Sequence, residues 1–318
     1  MTESKTAPSS TAAASTSSGP VVVVTGANGL VGGRVCVALL ERGATVRAVV
    51  RRPGTAPELA GVDEWVGEFH DPDFAASVVT GADAVVTTVH PMGSDRETQH
   101  RIAVEGTPVL ARAARDAGVQ RLVHISTAAV YDRSPEAAGD RDESAPLVPD
   151  DANDYAVTKR DTDLALAAID GLTRVLVRPP AILGVGETSV WNTLRPAAIR
   201  DDEGARHAIR DQTFAWIHLD DLATFSADVA TGRVPNATDA EQGPVEGACT
   251  PVNLAGTEHA TVGDYYETVT SALGVDPIWD DTPAWTGRFS ADRARGWGWT
   301  PAVDLGTALT ELGDGLRQ

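Results

Sequence analysis

The sequence predicts an α/β fold, a doubly wound parallel sheet with a smaller C-terminal lobe, and three observations carry that prediction. Val21 to Thr25 is a short β-branched apolar run, the pattern of a strand covered on both faces. It runs straight into a glycine-rich turn, Gly26-Ala27-Asn28-Gly29, and then into a helical pattern. Beyond that point strand-like and helix-like segments keep alternating, which implies parallel strands joined by right-handed helical crossovers.

Each element follows from its own signals. The first helix is expected from Leu30 to Arg42, stopped by Gly43, since glycine takes the left-handed conformation that ends helices. A second strand covers Thr45 to Val50 and a third lies near Glu64 to Phe69. A helix from about Asp73 to Thr80, a strand from Asp83 to Val89, a long helix from about Glu97 to Ala117 and a strand from Arg121 to Ser126 continue the pattern. The polar, Pro- and Gly-containing stretch from Tyr131 to Asp154 reads as a loop near the ligand edge of the sheet. A helix from about Asn153 to Ile169 and a strand from Thr173 to Val177 follow, and Arg178-Pro179-Pro180 breaks the strand. Gly184 to Gln212 reads as irregular, with a short helix around Thr193 to Arg200. Strand Phe214 to Ile217 and helix Asp220 to Ala230 are expected to return to the main sheet. Strand Pro251 to Leu254 and helices Thr261 to Leu273 and Leu305 to Leu316 complete the pattern.

Composition narrows the function. The chain has 318 residues, 42% hydrophobic and 22% charged, enough for a buried core in one large domain or two smaller ones. Its net charge of −19 repels phosphate backbones and anionic surfaces, so neither nucleic acid nor a membrane is expected as a partner. Two cysteines, Cys36 and Cys249, make neither a disulfide framework nor a zinc site, and no metal site is expected. Residues 1–18 are rich in Ser, Thr and Ala and lack an apolar core, so they read as a disordered leader and a cytoplasmic location is expected.

Four features carry chemistry. In the turn Gly26 to Gly32, including Asn28, Gly29, Leu30 and Val31, missing side chains allow a tight turn, close approach of a phosphate, and close packing of helix on strand. The free N–H groups of the following helix suit a pyrophosphate. Arg51 and Arg52 end the second strand, with no acid there to take a ribose 2′-hydroxyl. Two guanidinium groups suit a 2′-phosphate instead, although charged strand ends are often merely solvated. Tyr155 and Lys159 stand four apart on one helix, so they share a face, and an ammonium there would lower the phenol pKa. Only two of the 26 basic residues are lysines, Lys5 in the leader and Lys159, so the folded body keeps an ammonium at this single position. Ser126 and Thr127 end the fifth strand, where hydroxyls can meet a ligand.

With these residues in hand, the sequence resembles the extended short-chain dehydrogenase/reductase family, also called the NAD-dependent epimerase/dehydratase family. The resemblance rests on Thr25 to Gly32, Val104 to Thr107, His124 to Tyr131, Tyr155-x-x-x-Lys159, Arg178-Pro-Pro180 and Ile217 to Leu222, and it covers nearly the whole chain past the leader. It implies a Rossmann domain over residues 19–178, completed by 214–255, and a substrate lobe from 179–213 and 256–318. It implies that Thr127 is the catalytic hydroxyl, Tyr155 the general acid/base, and Lys159 the residue that binds the nicotinamide ribose and tunes Tyr155. Glu68 and Phe69 match positions that contact adenine, Thr87 and Pro179 positions along the cofactor, and Tyr131 a position near substrate. His90 stands where the family keeps small residues, and it is either a pocket residue or a solvated loop histidine. Trp191, Trp285, Trp297 and Trp299 are candidates for an apolar substrate pocket, and Arg288 for a substrate diphosphate.

Within the family, dehydratases carry an Asp-Glu pair where this chain has Ala128 and Ala129. NADP(H) is the expected cofactor, with NAD(H) an alternative. The expected activity is hydride transfer between nicotinamide and a small-molecule carbonyl or alcohol, of the EC 1.1.1 type. A nucleotide-sugar epimerase (EC 5.1.3) with tightly held NAD is the second reading, and a non-catalytic NADP-binding regulator the third. Family members often pair through two helices per subunit, which leaves a homodimer open.

Overall fold

The computed structural model describes residues 19–317, so the leader of residues 1–18 lies outside them. β1 (Val21–Thr25) leads into α1 (Leu30–Glu41), followed by β2 (Thr45–Val50), β3 (Val62–Val66), α2 (Pro72–Val79) and β4 (Ala84–Thr87). α3 (Arg96–Gln99) runs through a π-helical stretch, His100–Glu105, into α4 (Gly106–Asp116), and β5 (Arg121–Ile125), α5 (Asp154–Ala167) and β6 (Thr173–Arg178) follow. The remainder comprises β7 (Ala181–Leu183), α6 (Arg195–Asp201), β8 (His207–Ala208), β9 (Trp216–His218), α7 (Leu219–Ala230), β10 (Cys249–Asn253), α8 (Val262–Leu273), β11 (Ile278–Trp279), α9 (Asp292–Gly296) and α10 (Leu305–Leu316).

Seven strands form one sheet in the order β10-β6-β5-β4-β1-β2-β3, and every neighbouring pair is parallel. The chain winds outward in opposite directions from β1 and β4, which opens a crevice beyond their carboxyl ends. Alternate residues of each strand feed two cores. Val22 and Val24 of β1 pack with α1 and α7 residues such as Leu39 and Phe225. Val23 faces the other way, towards Val78 of α2, Leu110 of α4 and Leu166 of α5. A third core joins Leu183, Phe214, Trp216, Tyr265 and Leu312 in the smaller lobe.

Three local expectations change. The third strand lies at Val62–Val66, earlier than Glu64 to Phe69, because the chain turns at Gly67. A Cβ at Gly67 would stand 2.3 Å from the Phe74 ring, so the ring closes over the backbone there and frees Glu68 and Phe69 for the crevice edge. The expected strand Phe214 to Ile217 becomes β9 and does not rejoin the main sheet. It pairs with β7 in a separate two-stranded sheet, while β10 takes the place beside β6. Pro179 and Pro180, which have no N–H to give, separate β6 from β7 and turn the chain out of the main ladder. The expected single helix of Glu97 to Ala117 starts at Arg96 and changes register before Pro108, whose ring offers no N–H to the preceding turn.

Candidate active site

A cavity of about 1030 Å³ opens along the carboxyl edge of the sheet and extends between the sheet and the smaller lobe. Its floor is the glycine turn. Gly26 has φ +67°, and a Cβ there would stand 2.6 Å from the Thr88 hydroxyl. A Cβ on Gly32 would come within 2.1 Å of the Gly26 carbonyl oxygen. The sequence therefore folds locally around two positions that only glycine fits. The N-terminus of α1 carries no side-chain cap and no acid in its first turn, and the first bond closing onto the cap residue comes from Gly33 to Gly29 at 2.8 Å. The N–H groups of Leu30, Val31 and Gly32 thus face the cavity with the positive end of the helix dipole behind them.

Arg51 and Arg52 line one end of this cavity, next to Glu68 and Phe69. Both arginines are exposed, and among the described residues neither guanidinium is held by an ion pair. Arg47, by contrast, is spent on the fold: it donates to the carbonyls of Val78 and Thr80, each at 2.7 Å, and lies over the Trp65 ring.

Ser126, Thr127, Tyr155 and Lys159 come together in the middle of the cavity wall. Thr127 follows β5, caps the short turn Ala128–Val130 and accepts from the Ala129 N–H at 3.1 Å, which fixes its rotamer. Asn153 caps α5 through the Ala156 N–H, so the helix begins where it presents Tyr155 and Lys159 on its cavity side. The Lys159 ammonium donates to the Ile125 carbonyl at 2.8 Å. Burial pushes it down to about 8, against the pull of the Asp163 carboxylate one turn on. The Tyr155 phenol behaves differently from the expectation drawn from the i, i+4 spacing. Burial raises its pKa, the Thr127 hydroxyl works the other way, and the ammonium is turned to the backbone of β5.

A polar group that the sequence could not reveal stands behind this wall. Asp163 accepts from Arg178 Nε at 2.9 Å, and both side chains are buried. Arg178 donates on to the Tyr131 hydroxyl at 2.7 Å, and Tyr131 donates to Asn253 at 2.9 Å. Tyr131 is therefore a buried residue, and it is not among the residues that line the cavity. Burial pushes its phenol up to about 12.

His90 does line the cavity, its ring edge-on to Tyr155 with centroids 5.1 Å apart. Gln99 donates its amide N–H to the Ser94 carbonyl at 2.7 Å, so its oxygen faces His90 Nε2 at 3.0 Å. An amide oxygen only accepts, so Nε2 carries the proton. Burial, with Lys159 adding to it, drives His90 down to about 3, so the ring is neutral.

Three further candidates fall outside the cavity. Thr87 is buried and bonds His124 Nδ1 at 2.7 Å, while its neighbour Thr88 faces the cavity, because consecutive strand residues point to opposite faces. Pro179 is buried and its carbonyl accepts from Ala128, and Pro180 lines the cavity in its place. Arg288 is exposed, joins the loop carrying Asp140 through its backbone N–H, and is not among the residues that line the cavity. Trp191 and Trp285 line the cavity, whereas Trp297 and Trp299 pack against Phe225 in the core. Arg133 and Phe214 line it without having been expected there. Arg133 sits in a polar loop whose sequence reads as solvated, and only the fold shows what it faces. No group of metal-ligating side chains occurs among the described residues.

Comparison with known proteins agrees with this geometry. A family model described as NAD(P)H-binding matches residues 26–231. The chain is 33% identical over 192 residues to a 3 beta-hydroxysteroid dehydrogenase/Delta 5-->4-isomerase of Mycobacterium tuberculosis, covering 56% of this chain and 51% of that protein. It is 32% identical over 229 residues to the 4-hydroxy-2-methyl-3-oxo-4-farnesyl-3,4-dihydroquinoline-1-oxide ketoreductase of Stigmatella aurantiaca, covering 70% of this chain and 64% of the relative. The chain thus spans about half the length of the first of these curated relatives. Among solved structures, the UDP-glucose 4-epimerase of Thermus thermophilus in complex with NAD superposes with a TM-score of 0.72, at 19% identity, over 93% of this chain and 99% of that one. A seven-stranded parallel sheet, a glycine cradle under its switch point and a matching NAD(P)H-binding model leave one assignment: the chain belongs to the extended short-chain dehydrogenase/reductase, or NAD-dependent epimerase/dehydratase, family.

Proposed function

We propose that this protein is an NADP(H)-dependent oxidoreductase that interconverts a small-molecule carbonyl and its alcohol. One observation carries the reading: a single cavity has two unpaired arginines at one end and Tyr155, Thr127 and Lys159 in its middle. The residues fit a dinucleotide. The cradle at Gly26 and Gly32 admits no Cβ, and the uncapped N-terminus of α1 offers N–H groups to a pyrophosphate. Arg51 and Arg52 would hold a 2′-phosphate, and Glu68 and Phe69 would flank the adenine. The bound nicotinamide supplies or accepts the hydride.

The chain's own residues handle the proton. The Tyr155 phenol, held in its neutral form by burial, is a donor suited to giving its proton to a carbonyl oxygen as that oxygen gains charge. Thr127, fixed by the Ala129 N–H, orients the same oxygen. Lys159 keeps a positive charge beneath them below about pH 8, which favours transient phenolate. The apolar walls contributed by Trp191, Phe214 and Val262 exclude water from that exchange.

The test is a titration of purified protein with NADPH and NADH. NADPH is expected to bind at least about tenfold more tightly, as charge-assisted bonds to a phosphate imply. Arg51→Ala with Arg52→Ala should remove that preference and leave NADH affinity in place. Equal loss for both cofactors refutes the 2′-phosphate site. Tyr155→Phe should keep NADPH binding and lose turnover, and undiminished turnover refutes the proton path.

A further inference from the structure

Arg133 stands out among the charged groups of the cavity. It follows β5 by way of the short turn Ala128–Val130, lines the cavity, and lies with its guanidinium 6.0 Å from the Trp285 ring, which lines the cavity too. Among the described residues its side chain has no carboxylate and no carbonyl partner. Its neighbour Arg141 also lies over Trp285, at 5.4 Å, but is fully engaged: it donates to the carbonyls of Asp132, Ala137, Ala138, Gly139 and Asp140. The structural cation thus ties the loop together, and the second cation is left with only a π-face. A ring quadrupole attracts positive charge but accepts none of the five N–H bonds that a guanidinium offers. Burial and the Arg141 charge both weigh against Arg133 holding its proton, and no acid compensates them.

Arg133 is separate from the pair at the other end. Arg51 and Arg52 follow β2, and β1 and β4 lie between β2 and β5. The two sites thus belong to loops that leave the sheet three strands apart. The walls beside Arg133 are apolar and aromatic, among them Trp191, Phe214 and Trp285. An unpaired, half-buried guanidinium that opens into the cavity against such walls, in a chain of net charge −19, points to an anionic partner that arrives with the ligand.

We propose that Arg133 is a specificity-determining residue that receives a carboxylate at the end of an apolar substrate body, so that the substrate is an oxo or hydroxy acid. The planar fork of the guanidinium matches two carboxylate oxygens, and the arginine's stem keeps its contact with Trp285. The inference rests on the oxidoreductase reading for the word substrate, and on the geometry alone for the acid.

The test separates the two. Protein loaded with NADP+ is titrated with phenylalkanoates of two to six carbons, with their methyl esters, and with phenylalkyl phosphates, while tryptophan fluorescence reports binding. At least one acid is expected to bind about tenfold or more tightly than its ester. Arg133→Met, which keeps the apolar stem, should bring that acid down to the ester, and Arg133→Lys should restore part of the difference. Unchanged melting temperatures of both variants show that the fold is intact. Acid and ester binding alike, neither binding, or a preference that survives in Arg133→Met overturns the proposal. Preference for the phosphates alone replaces carboxylate by phosphate and overturns the oxo-acid assignment. NADPH oxidation by 2-oxo-4-phenylbutanoate tests the other reading: acid binding without any turnover refutes the oxidoreductase and spares the anion site.

Discussion

Asp163→Asn is the sharpest single perturbation of this site, because one carboxylate serves two buried cations. Asp163 and Arg178 are 1% and 7% exposed at their side chains, and the carboxylate also raises the Lys159 ammonium against burial. Asparagine keeps the shape and an acceptor oxygen for Arg178 Nε but removes the charge. Breaking a buried pair by neutralising one partner costs about 3–5 kcal/mol. With about 2.1 cal/mol/K of unfolding entropy per residue over roughly 300 ordered residues, that loss lowers Tm by about 5–8 °C. The same change has a second, independent readout. Lys159 titrates at about 8, so activity that needs the ammonium falls as pH rises through about 8. Without Asp163 the ammonium is less favoured, and the alkaline limb moves to lower pH. The assays are a thermal melt and a pH profile of NADPH oxidation with a carbonyl substrate. A variant that melts with the wild type and keeps its alkaline limb refutes the shared-carboxylate reasoning. A fall in Tm with an unmoved limb leaves the pair structural and takes Asp163 out of the control of Lys159.

Three further outcomes follow from the same structure. Gly32→Ala must move a Cβ that would stand 2.1 Å from the Gly26 carbonyl, and it should cost about 1–3 kcal/mol and weaken NADPH binding, read by melting and titration. Arg121→Met leaves the carbonyls of Val229 and Val234 without the guanidinium that reaches them at 2.8 and 2.6 Å, so a stability loss of about 2–4 kcal/mol is expected in denaturant unfolding, with NADPH affinity unchanged. His90 is neutral down to about 3, so the acidic side of the pH profile should show no limb near its ordinary value of about 6.5, and His90→Gln should leave the shape of the profile below pH 7 unaltered.

The parts of this molecule that were legible in its sequence are those decided within a few residues. β1, the glycine turn and α1 form a local unit, and β1, β2 and α10 run where the periodicity puts them. Tyr155 and Lys159 reach one wall because a helix fixes their spacing. Failures cluster where a single residue of register decides the face. Thr87 and Thr88 are alike in sequence, but the pleat sends one to His124 and the other to the cavity. Pro179 and Pro180 divide in the same way. The remaining misses come from partners far along the chain. Tyr131 is buried because Arg178 and Asn253 close on its hydroxyl, 47 and 122 residues away in sequence. β7 and β9 are three residues each, too short for a periodic signal, and they find each other only after the prolines have turned the chain.

The protonation states make the same point for chemistry. A tyrosine and a lysine one turn apart suggest a phenol already acidified by its neighbour. Burial outweighs that effect here, since both groups are withdrawn from water and the ammonium is held by a backbone carbonyl. Both shifts run towards the neutral form, so the wall is least charged before a ligand brings an oxygen that can accept a proton. A proton donor whose pKa stays high gives its proton only when the accepting oxygen becomes strongly basic, as a carbonyl oxygen does while hydride arrives at its carbon. Under the proposed proton path, the same burial that makes Tyr155 a poor acid in isolation would confine its chemistry to the transition state. Arg133, half-buried and unpaired, lines the same cavity, and under the proposed reading it would fix where the substrate's carbonyl comes to rest.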